Sequence, residues 1–300
     1  MNLLLSDGEE FAVHFGDCIP HMAEMPAQSV DFAVFSPPFP SLFAYTSSPA
    51  DIGNSEDLRT EAKLHLSFFF NQIVKVIKPG RVMVVHCTQI PGMVRNSEPG
   101  TFDFRGLLIR LAERAGFHYQ YDWLVAKNPQ SQAIRTHSHK LLFATLGRDR
   151  AVSAGAFGDY LVKFLAPGEN AVPIDSDDEI SRNDWIEWAE CCWPWQRVRE
   201  TDTLNTREAK GDDDTKHICP LQLVVIERLV KLFSNPGEVV FSPFAGIGSE
   251  GYVSLKYRRR FYGCELKREY YETALVNLER ARAKRTAAEK TLFDEIEAVA

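Results

Sequence analysis

The sequence of 300 residues predicts an α/β protein built on a mostly parallel, doubly wound sheet. Short, unbroken runs of apolar and β-branched residues are typical of strands that are buried on both faces. These runs alternate with segments of helical periodicity, which is the pattern of an α/β sheet. Two runs end abruptly, one in Ser36-Pro37-Pro38-Phe39 (the proline turn) and the other in residues 242–248 (the glycine turn). Ligands of open α/β sheets bind at the carboxyl ends of strands, so these two turns are the first candidates for a site.

The first 147 residues contain predicted strands at 11–18, 30–35, 81–87, 119–125 and 140–145. Helices are predicted between them at 19–25, 55–77 and 104–115, where apolar residues recur at helical spacing. Lys78-Pro79-Gly80 and Gly116 are expected to end the second and the third helix. Residues 40–53 lack periodicity and are rich in serine, proline and alanine. We therefore expect a loop there, placed to act as a lid beside the proline turn.

The regular pattern breaks down between residues 148 and 214. Four of the five tryptophans lie in this stretch, interleaved with arginines and acidic runs. On an irregular insert such side chains can stack on bases and contact phosphates, and the alternative is a small satellite core with solvated charges. Regular structure is expected to return with a helix at 221–233, a strand leading into the glycine turn, a helix at 250–256, a strand at 260–264 and a helical segment at 267–299.

The proline turn has a chemistry suited to an amino group. Two successive prolines end the preceding strand, because neither can donate a hydrogen bond to a sheet. The exocyclic amino group of a nucleobase is a poor nucleophile, and acceptors such as the Ser36 hydroxyl and the Pro37 carbonyl can polarise it and stabilise the charge that develops on it. Phe39 can stack on a base that is flipped out of a duplex. The alternative is an ordinary strand-to-loop turn with a buried phenylalanine.

The glycine turn has the features of a nucleoside-binding site. Gly246 and Gly248 let a ligand approach the backbone closely. Glu265 ends the next predicted strand, about 20 residues further on, which is the spacing of an acidic residue that binds ribose hydroxyls. The spacing of Gly246, Gly248 and Gly251 also matches a dinucleotide-binding turn, so a nicotinamide or flavin cofactor is an alternative. Asp17, at the end of the first strand, is expected either to bind an adenine amino group or to cap the following helix.

Composition excludes several classes of protein. No segment is long and apolar enough to span a bilayer, and acidic residues directly after the first five argue against a signal peptide. The six cysteines form no Cys-x-x-Cys pair, and we interpret them as reduced thiols of a cytoplasmic protein. The net charge of −7 does not favour nucleic-acid binding, although a local basic patch can be hidden in it. No metal site is expected, because His217 and the His137/His139 pair lack the setting of zinc ligands.

The motifs together resemble those of the amino-group DNA methyltransferases that use S-adenosylmethionine, in the permuted order of their β class. The glycine turn, Ser242-Pro243-Phe244-Ala245-Gly246-Ile247-Gly248, is similar to the cofactor loop of that family, and the proline turn is similar to its catalytic tetrapeptide. Lys216-His217-Ile218-Cys219-Pro220 is similar to the segment that flanks the methionine part of the cofactor. The resemblance implies catalytic roles for Ser36, Pro37, Pro38 and Phe39. It implies cofactor contacts from Asp17, His217, Ser242, Phe244, Ala245, Gly246, Gly248 and Glu265.

The same resemblance implies a Rossmann-like methyltransferase fold in three parts. These are a catalytic half at 1–147, an inserted target-recognition region at 148–214 and a cofactor-binding half at 215–300. The implied partner is double-stranded DNA, with a cognate restriction endonuclease as a further partner, and the implied assembly is a monomer or a homodimer. Three residues depart from the family pattern: Ser242 stands for the common Asp, Ile218 for Pro and Phe39 for Tyr.

The target of the implied reaction is the amino group of a flipped base. Within the resembled family, serine before Pro-Pro is most often associated with cytosine N4, whereas Asp or Asn is associated with adenine N6. Ser36 therefore favours cytosine. Methylation of adenine N6, methylation of RNA or protein, and a catalytically silent DNA-binding protein that retains the fold are alternatives.

Overall fold

The computed structural model describes residues 4–40, 44–55, 60–91, 100–136, 147, 149–153, 155–175, 179–206 and 220–299. Its strands are β1 (Phe11–Phe15), β2 (Val30–Phe35), β3 (Ile77–Thr88), β4 (Ile90–Pro91), β5 (Thr101–Phe102), β6 (His118–Val125), β7 (Asp159–Leu165), β8 (Cys192–Trp193), β9 (Val239–Ser242) and β10 (Arg260–Glu265). Its α-helices are α1 (Cys18–Glu24), α2 (Glu61–Val76), α3 (Phe104–Ala115), α4 (Pro129–Thr136), α5 (Arg182–Trp188), α6 (Leu223–Phe233), α7 (Ser249–Lys256) and α8 (Arg268–Val299).

Within the described residues, eight strands form one sheet in the order β1-β10-β9-β2-β3-β7-β6-β8. The five neighbours from β1 to β3 are all parallel to one another. Strand β7 is antiparallel to both of its neighbours, β3 and β6. The predicted mostly parallel α/β sheet is therefore confirmed.

Strands β9 and β2 are adjacent, and the chain leaves them in opposite directions. After β9 it crosses through α7 to β10, whereas after β2 it crosses through α2 to β3. Such a reversal of strand order opens a crevice at the carboxyl ends of the two strands. The proline turn and the glycine turn both start from this place. Strand β1 pairs with β10, so the first strand of the chain lies on the same side of this reversal as the glycine turn.

The sheet is covered on both faces. Every residue of β2 is buried, and its side chains alternate between two apolar cores. Ala33 and Phe35 pack into the core beneath α2 and α3, whereas Phe32 and Val34 pack into the core beneath α6 and α7. This alternation is the two-residue period of a strand that is buried on both sides. It confirms the doubly wound arrangement.

Most predicted elements are present, and helix α3 ends at Gly116 as expected, in a left-handed conformation with φ of 110°. The second helix ends at Val76, close to the end expected from Lys78-Pro79-Gly80, but the strand predicted from residue 81 begins earlier and already includes these three residues. The pairing of β2 with β3 slips there, since Val30 opposes Ile77 and Phe32 opposes Val82. Gly80 is needed at φ of +66°, where a Cβ would lie 2.2 Å from the backbone nitrogen of Asn170. The strand predicted at 140–145 lies outside the described residues.

The break in regular structure predicted at 148–214 is only partly found. Strand β7 lies within that stretch and forms a central part of the sheet. Its sequence begins with Asp159 and is interrupted by the half-buried Lys163, so it lacks the unbroken apolar run that marks the other strands. That the rest of this region recognises a DNA target stays a prediction.

Two tryptophans of this region pack into the main core between the sheet and α6, so they do not form the separate satellite core that was the alternative interpretation. Trp188 and Trp193 are buried, and the indole N–H groups of Trp123 and Trp193 both lie within hydrogen-bonding distance of the Trp188 carbonyl, at 3.0 and 3.3 Å. The guanidinium of Arg228 lies 4.7 Å from the centre of the Trp193 ring. Trp185, in contrast, is 59% exposed. None of the helices that the structure describes is long and apolar enough to cross a membrane.

Asp31 ties the strands of the reversal together at their amino ends. Its carboxylate accepts hydrogen bonds from the backbone N–H of Val239 at 2.9 Å and from Lys78 Nζ at 2.5 Å, and Arg81 Nε donates to its carbonyl at 2.8 Å. Asp31 is buried, so removing its carboxylate leaves the backbone N–H of Val239 without its acceptor and takes one of two carboxylates from the buried Arg81, whose other partner is Glu238.

We expect Asp31→Ala to lower the free energy of unfolding by about 3 kcal/mol, because it breaks a buried charged network. Urea denaturation followed by circular dichroism measures this loss. Lys78→Ala is the matched control, because its side chain is 43% exposed and its ion pair is worth less than about 1 kcal/mol. Equal losses in the two variants would contradict the assignment of Asp31 as the tie between these strands.

Candidate active site

The proline turn and the glycine turn open into one cleft. It encloses about 1100 Å³, counting the space that is open to solvent, and all four residues of the proline turn line it. Residues 243–247 of the glycine turn line the same cleft, and so do Asp17, which follows β1, and Glu265, the last residue of β10. The sequence-based expectation that these distant segments meet is confirmed.

The proline turn begins where β2 ends, and it is held by contacts behind it. Pro37 is buried, whereas Ser36 and Phe39 are half-buried. Ser36 Oγ lies 3.0 Å from His86 Nδ1, which is on the neighbouring strand β3. The Phe39 ring packs edge-on against Phe104, with 5.8 Å between the ring centres. The turn therefore presents its hydroxyl and its aromatic ring to the cleft from fixed positions.

Glu265 organises the glycine turn. Its Oε2 accepts a hydrogen bond from the N–H of Gly246 at 2.8 Å, and its Oε1 accepts one from the N–H of Lys267 at 2.8 Å. Gly246 adopts φ of +54°, which aims its N–H at the carboxylate and which a side chain would disfavour. Burial raises the pKa of Glu265 to about 7, although these two backbone N–H groups act in the opposite direction.

Two further polar side chains line the cleft at the start of α7, and the sequence analysis did not single them out. Glu250 is buried, and burial together with the nearby charge of Glu265 raises its pKa to about 8. Ser249 Oγ is buried without a hydrogen-bond partner among the described residues. Such an unpaired hydroxyl in a cleft is a polar group that a bound ligand can satisfy.

The segment predicted as a lid forms one wall of the cleft over the part that the structure describes, residues 44–53. The buried carboxylate of Asp51 accepts hydrogen bonds from the backbone N–H groups of Tyr45 at 2.8 Å, Thr46 at 2.7 Å and Gly53 at 2.9 Å. The Tyr45 ring lies edge-on to Tyr270, which is on α8. Asp51 thus gives this wall its shape. Opening and closing of the segment stays a prediction.

The remaining predicted cofactor residues are placed differently from one another. Phe244 and Ala245 line the cleft, and so does Asp17, whose Oδ1 also caps α1 by accepting from the N–H of Ile19 at 2.9 Å. Ser242 is fully buried at the end of β9 and is not among the lining residues. Gly248 is also absent from the lining. It adopts φ of +84° at the start of α7, and a Cβ there would lie 3.2 Å from Ala274 of α8, so its place is explained by packing. His217 lies outside the described residues.

The lining of the cleft suits a nucleoside with a charged tail. Its walls include the apolar side chains of Ile52, Phe244, Ile247 and Leu266, which can enclose an aromatic base. Glu265 lies at the end of β10, where a carboxylate can accept hydrogen bonds from ribose hydroxyls. The chemistry of this donor set therefore fits the cofactor that the sequence analysis expects.

The chain is similar in sequence and in fold to proteins that are already described. A family model for DNA methylases of the N6/N4 type matches residues 30–276. The type II methyltransferase M.BglI of Bacillus subtilis is 29% identical over 175 residues, which cover 58% of this chain and 42% of that protein. The chain thus spans less than half the length of this curated relative.

Two solved structures share the fold. TTHA0409 of Thermus thermophilus, in a complex with S-adenosylmethionine, superposes with a TM-score of 0.64 at 20% identity, over 90% of this chain and 95% of that one. The cytosine-N4-specific PvuII DNA methyltransferase superposes with a TM-score of 0.64 at 16% identity, over 90% of this chain and 86% of that one. At these identities the likeness shows the fold, which confirms the predicted Rossmann-like methyltransferase architecture.

Glu250 generates a prediction about stability. A carboxyl whose pKa is raised from 4.5 in the unfolded chain to about 8 in the folded protein favours folding at low pH and loses that contribution as the pH rises between those values. The unchanged protein should therefore lose free energy of unfolding between pH 5 and pH 8, and Glu250→Gln should not show this loss. We expect the stability of the variant, measured relative to the unchanged protein, to be on the order of 3 kcal/mol more favourable at pH 8 than at pH 5. Chemical denaturation at both pH values tests this. Glu269→Gln, an exposed position, is the control, and equal pH dependence in both variants would contradict the prediction.

Proposed function

Because the chain belongs to the family of N6/N4 DNA methylases, we propose that it transfers a methyl group from S-adenosylmethionine to the exocyclic amino group of a base that is flipped out of double-stranded DNA. The observation that carries this proposal is the single cleft into which the proline turn and the glycine turn open. One turn has the acceptors that an amino group needs, and the other has the carboxylate and the open backbone that a nucleoside needs. Methyl transfer requires both ligands side by side.

The glycine-turn side of the cleft would hold the cofactor. Glu265 would accept hydrogen bonds from the ribose hydroxyls, and Phe244 and the other apolar wall residues would enclose the adenine ring. Asp17 and the unpaired Ser249 hydroxyl are further polar groups within the same cleft. When bound, S-adenosylmethionine supplies a methyl group on a positively charged sulfur. His217 stays a predicted contact on the resemblance alone.

The proline-turn side would hold the target base. The amino nitrogen of a nucleobase has its lone pair delocalised into the ring, and hydrogen bonds from its N–H groups to Ser36 Oγ and the Pro37 carbonyl would localise that pair on nitrogen. They would also stabilise the positive charge that develops there, in a half-buried place where such interactions are stronger than in water. Pro38 would keep the turn rigid, and the Phe39 ring would stack on the base.

Within this proposal the base is cytosine, methylated at N4. The support for it is the resemblance of Ser36-Pro37-Pro38-Phe39 to the serine-type tetrapeptide, and the alternative is adenine N6. The matched relative M.BglI is a type II methyltransferase. We accordingly include a cognate restriction endonuclease as a partner, a monomer or homodimer as the assembly, and the cytoplasm as the location.

The parts of residues 148–214 that lie outside the sheet would read the DNA sequence. Trp185 and Ile186 are each 59% exposed on α5, and Arg182 lies exposed on the same helix. Aromatic and arginine side chains together can contact bases and phosphates, which would give an acidic chain its local attachment to DNA. Trp188 and Trp193 do not take part, since they are buried.

We expect Ser36→Ala and Phe39→Ala each to lower kcat for DNA methylation by about 100-fold or more, because each removes a contact that acts on the base in the transition state. The dissociation constant of S-adenosylmethionine should change less than about twofold, because neither side chain belongs to the glycine-turn side. Transfer of a tritiated methyl group to DNA measures the first quantity, and calorimetry measures the second. Glu113→Gln, an exposed position on α3 outside the cleft, is the control. Full activity in both variants would refute the assignment of the proline turn.

The product identifies the target. We expect DNA methylated by the protein to yield N4-methylcytosine after digestion to nucleosides and mass spectrometry, since Ser36 stands before Pro-Pro. N6-methyladenine would overturn the choice of cytosine and keep the reaction class. Label in RNA or protein with none in DNA would overturn the substrate, and cofactor binding without transfer to any of them would favour the catalytically silent alternative.

A further inference from the structure

We propose that His86 and Asp159 form a proton relay behind Ser36, in which His86 takes up the proton that the target amino group releases. This inference rests on the proposed function and adds two residues to its machinery. His86 does not line the cleft, so it would act through Ser36 as a positioning residue and as the acceptor at the end of the relay. Neither residue was singled out from the sequence.

The sheet brings the three side chains together. Ser36 directly follows Phe35 of β2, which opposes Val85 of β3, and this register sets Ser36 beside His86. Ser36 Oγ lies 3.0 Å from His86 Nδ1. Strand β7 is antiparallel to β3, so its first residue, Asp159, reaches the edge of the sheet where β2 and β3 end. His86 Nε2 lies 3.1 Å from Asp159 Oδ2.

The charge on Asp159 sets the tautomer of His86. The carboxylate favours a proton on Nε2, although the contact is one of charge rather than an aligned hydrogen bond. A neutral imidazole with its proton on Nε2 leaves the lone pair on Nδ1, which can then accept the hydroxyl hydrogen of Ser36. Ser36 Oγ in turn keeps its own lone pairs for the N–H groups of the base. The order of serine, histidine and buried aspartate is the same as in a catalytic triad, in which the aspartate orients the histidine and the histidine accepts a proton from the serine. Here the nucleophile would be the amino nitrogen of the base and not the serine.

Asp159 stays ionised although it is buried. Burial alone would raise the pKa of its carboxyl, but its interactions with His86 and Lys127 outweigh that effect and lower the pKa. Lys127 Nζ lies 2.5 Å from Asp159 Oδ2. On the other elements around His86, the proline turn presents Ser36 and the uncharged Phe39, and Arg105 at the start of α3 is already paired with Asp122 of β6.

The relay would remove the proton that the amino group must lose during methyl transfer. The lone pair of the amino nitrogen forms the new N–C bond as the C–S bond breaks, and the electrons of that bond stay on sulfur. The nitrogen then carries the positive charge and must lose one proton. That proton passes to Ser36 Oγ while the Ser36 hydroxyl proton passes to His86 Nδ1, which leaves an imidazolium beside the Asp159 carboxylate. The imidazolium returns its proton to solvent before the next turnover.

The test compares His86→Asn and Asp159→Asn with the unchanged protein. Asparagine keeps a hydrogen-bonding group near the position of Nδ1 but cannot take up a proton, so it separates positioning from proton acceptance. We expect His86→Asn to lower kcat for DNA methylation by about 100-fold and to change the dissociation constant of S-adenosylmethionine less than about twofold. We expect kcat to fall toward acid pH in the unchanged protein and not in this variant, because an imidazole that already carries both protons cannot accept the proton of the amino group. His118→Asn, an exposed histidine at the start of β6, is the matched control.

A second readout needs neither cofactor nor DNA. Nitrogen NMR of the imidazole in the free protein should show His86 with its proton on Nε2 and an unprotonated, hydrogen-bonded Nδ1. Asp159→Asn should move the ring toward a mixture of tautomers, and Ser36→Ala should shift the Nδ1 resonance. These spectra, together with circular dichroism, also show that each variant is folded.

The two proposals fail in different ways. An unchanged kcat and pH profile in His86→Asn, or a proton on Nδ1 of His86 regardless of Asp159, would overturn the relay and leave DNA methylation in place. An unchanged protein that binds S-adenosylmethionine and methylates no DNA would overturn the proposed function and the relay with it. Should His86→Asn fail to fold, His86→Gln and the NMR of Asp159→Asn decide the question by the same criteria.

Discussion

The adjacency of β2 and β9 is the constraint on which the rest of the structure depends. These strands come from opposite ends of the chain, and the crossovers that leave them run in opposite directions, so the space between their carboxyl ends cannot be covered by either. At the other end of the same strands, the buried carboxylate of Asp31 bonds the backbone of Val239. The packing of the sheet and the opening of the cleft are thus two consequences of one strand pairing.

The two sides of the cleft treat carboxyl groups in opposite ways. On the glycine-turn side, Glu250 and Glu265 lack cationic partners within the described contacts, and burial raises their pKa values to about 8 and about 7. Behind the proline turn, Asp159 is also buried but lies between His86 and Lys127, which lower its pKa. A neutral carboxylic acid can donate a hydrogen bond, whereas a fixed carboxylate can hold an imidazolium. Whether a buried carboxyl group favours its neutral or its charged form is thus decided by its partners.

The sequence predicted those elements whose structure depends on residues close together in the chain. The buried strand β2, the helix that ends at Gly116 and the two turns follow from apolar periodicity, from proline and from glycine, all within a short window. Strand β7 was not predicted, because Lys163 interrupts its apolar sequence. Its place in the sheet becomes clear only from its two antiparallel neighbours, β3 and β6. The contacts His86–Asp159 and Ser36–His86 were not predicted either, because they depend on the order and direction of strands that are distant in sequence. For Gly248 and Ser242, in contrast, the family motif predicted cofactor contacts, but neither residue lines the cleft. Gly248 packs against Ala274, and Ser242 is buried at the end of β9.

The central claim is that one cleft brings a methyl donor and a flipped base into contact at the proline turn. A crystal structure of the protein with S-adenosylmethionine and a cognate DNA duplex measures this directly. We expect the methyl carbon about 3–3.5 Å from the exocyclic nitrogen of the base, with that nitrogen within hydrogen-bonding distance of Ser36 Oγ. A cofactor bound away from Glu265, or a target base whose amino group faces away from Ser36, would contradict it.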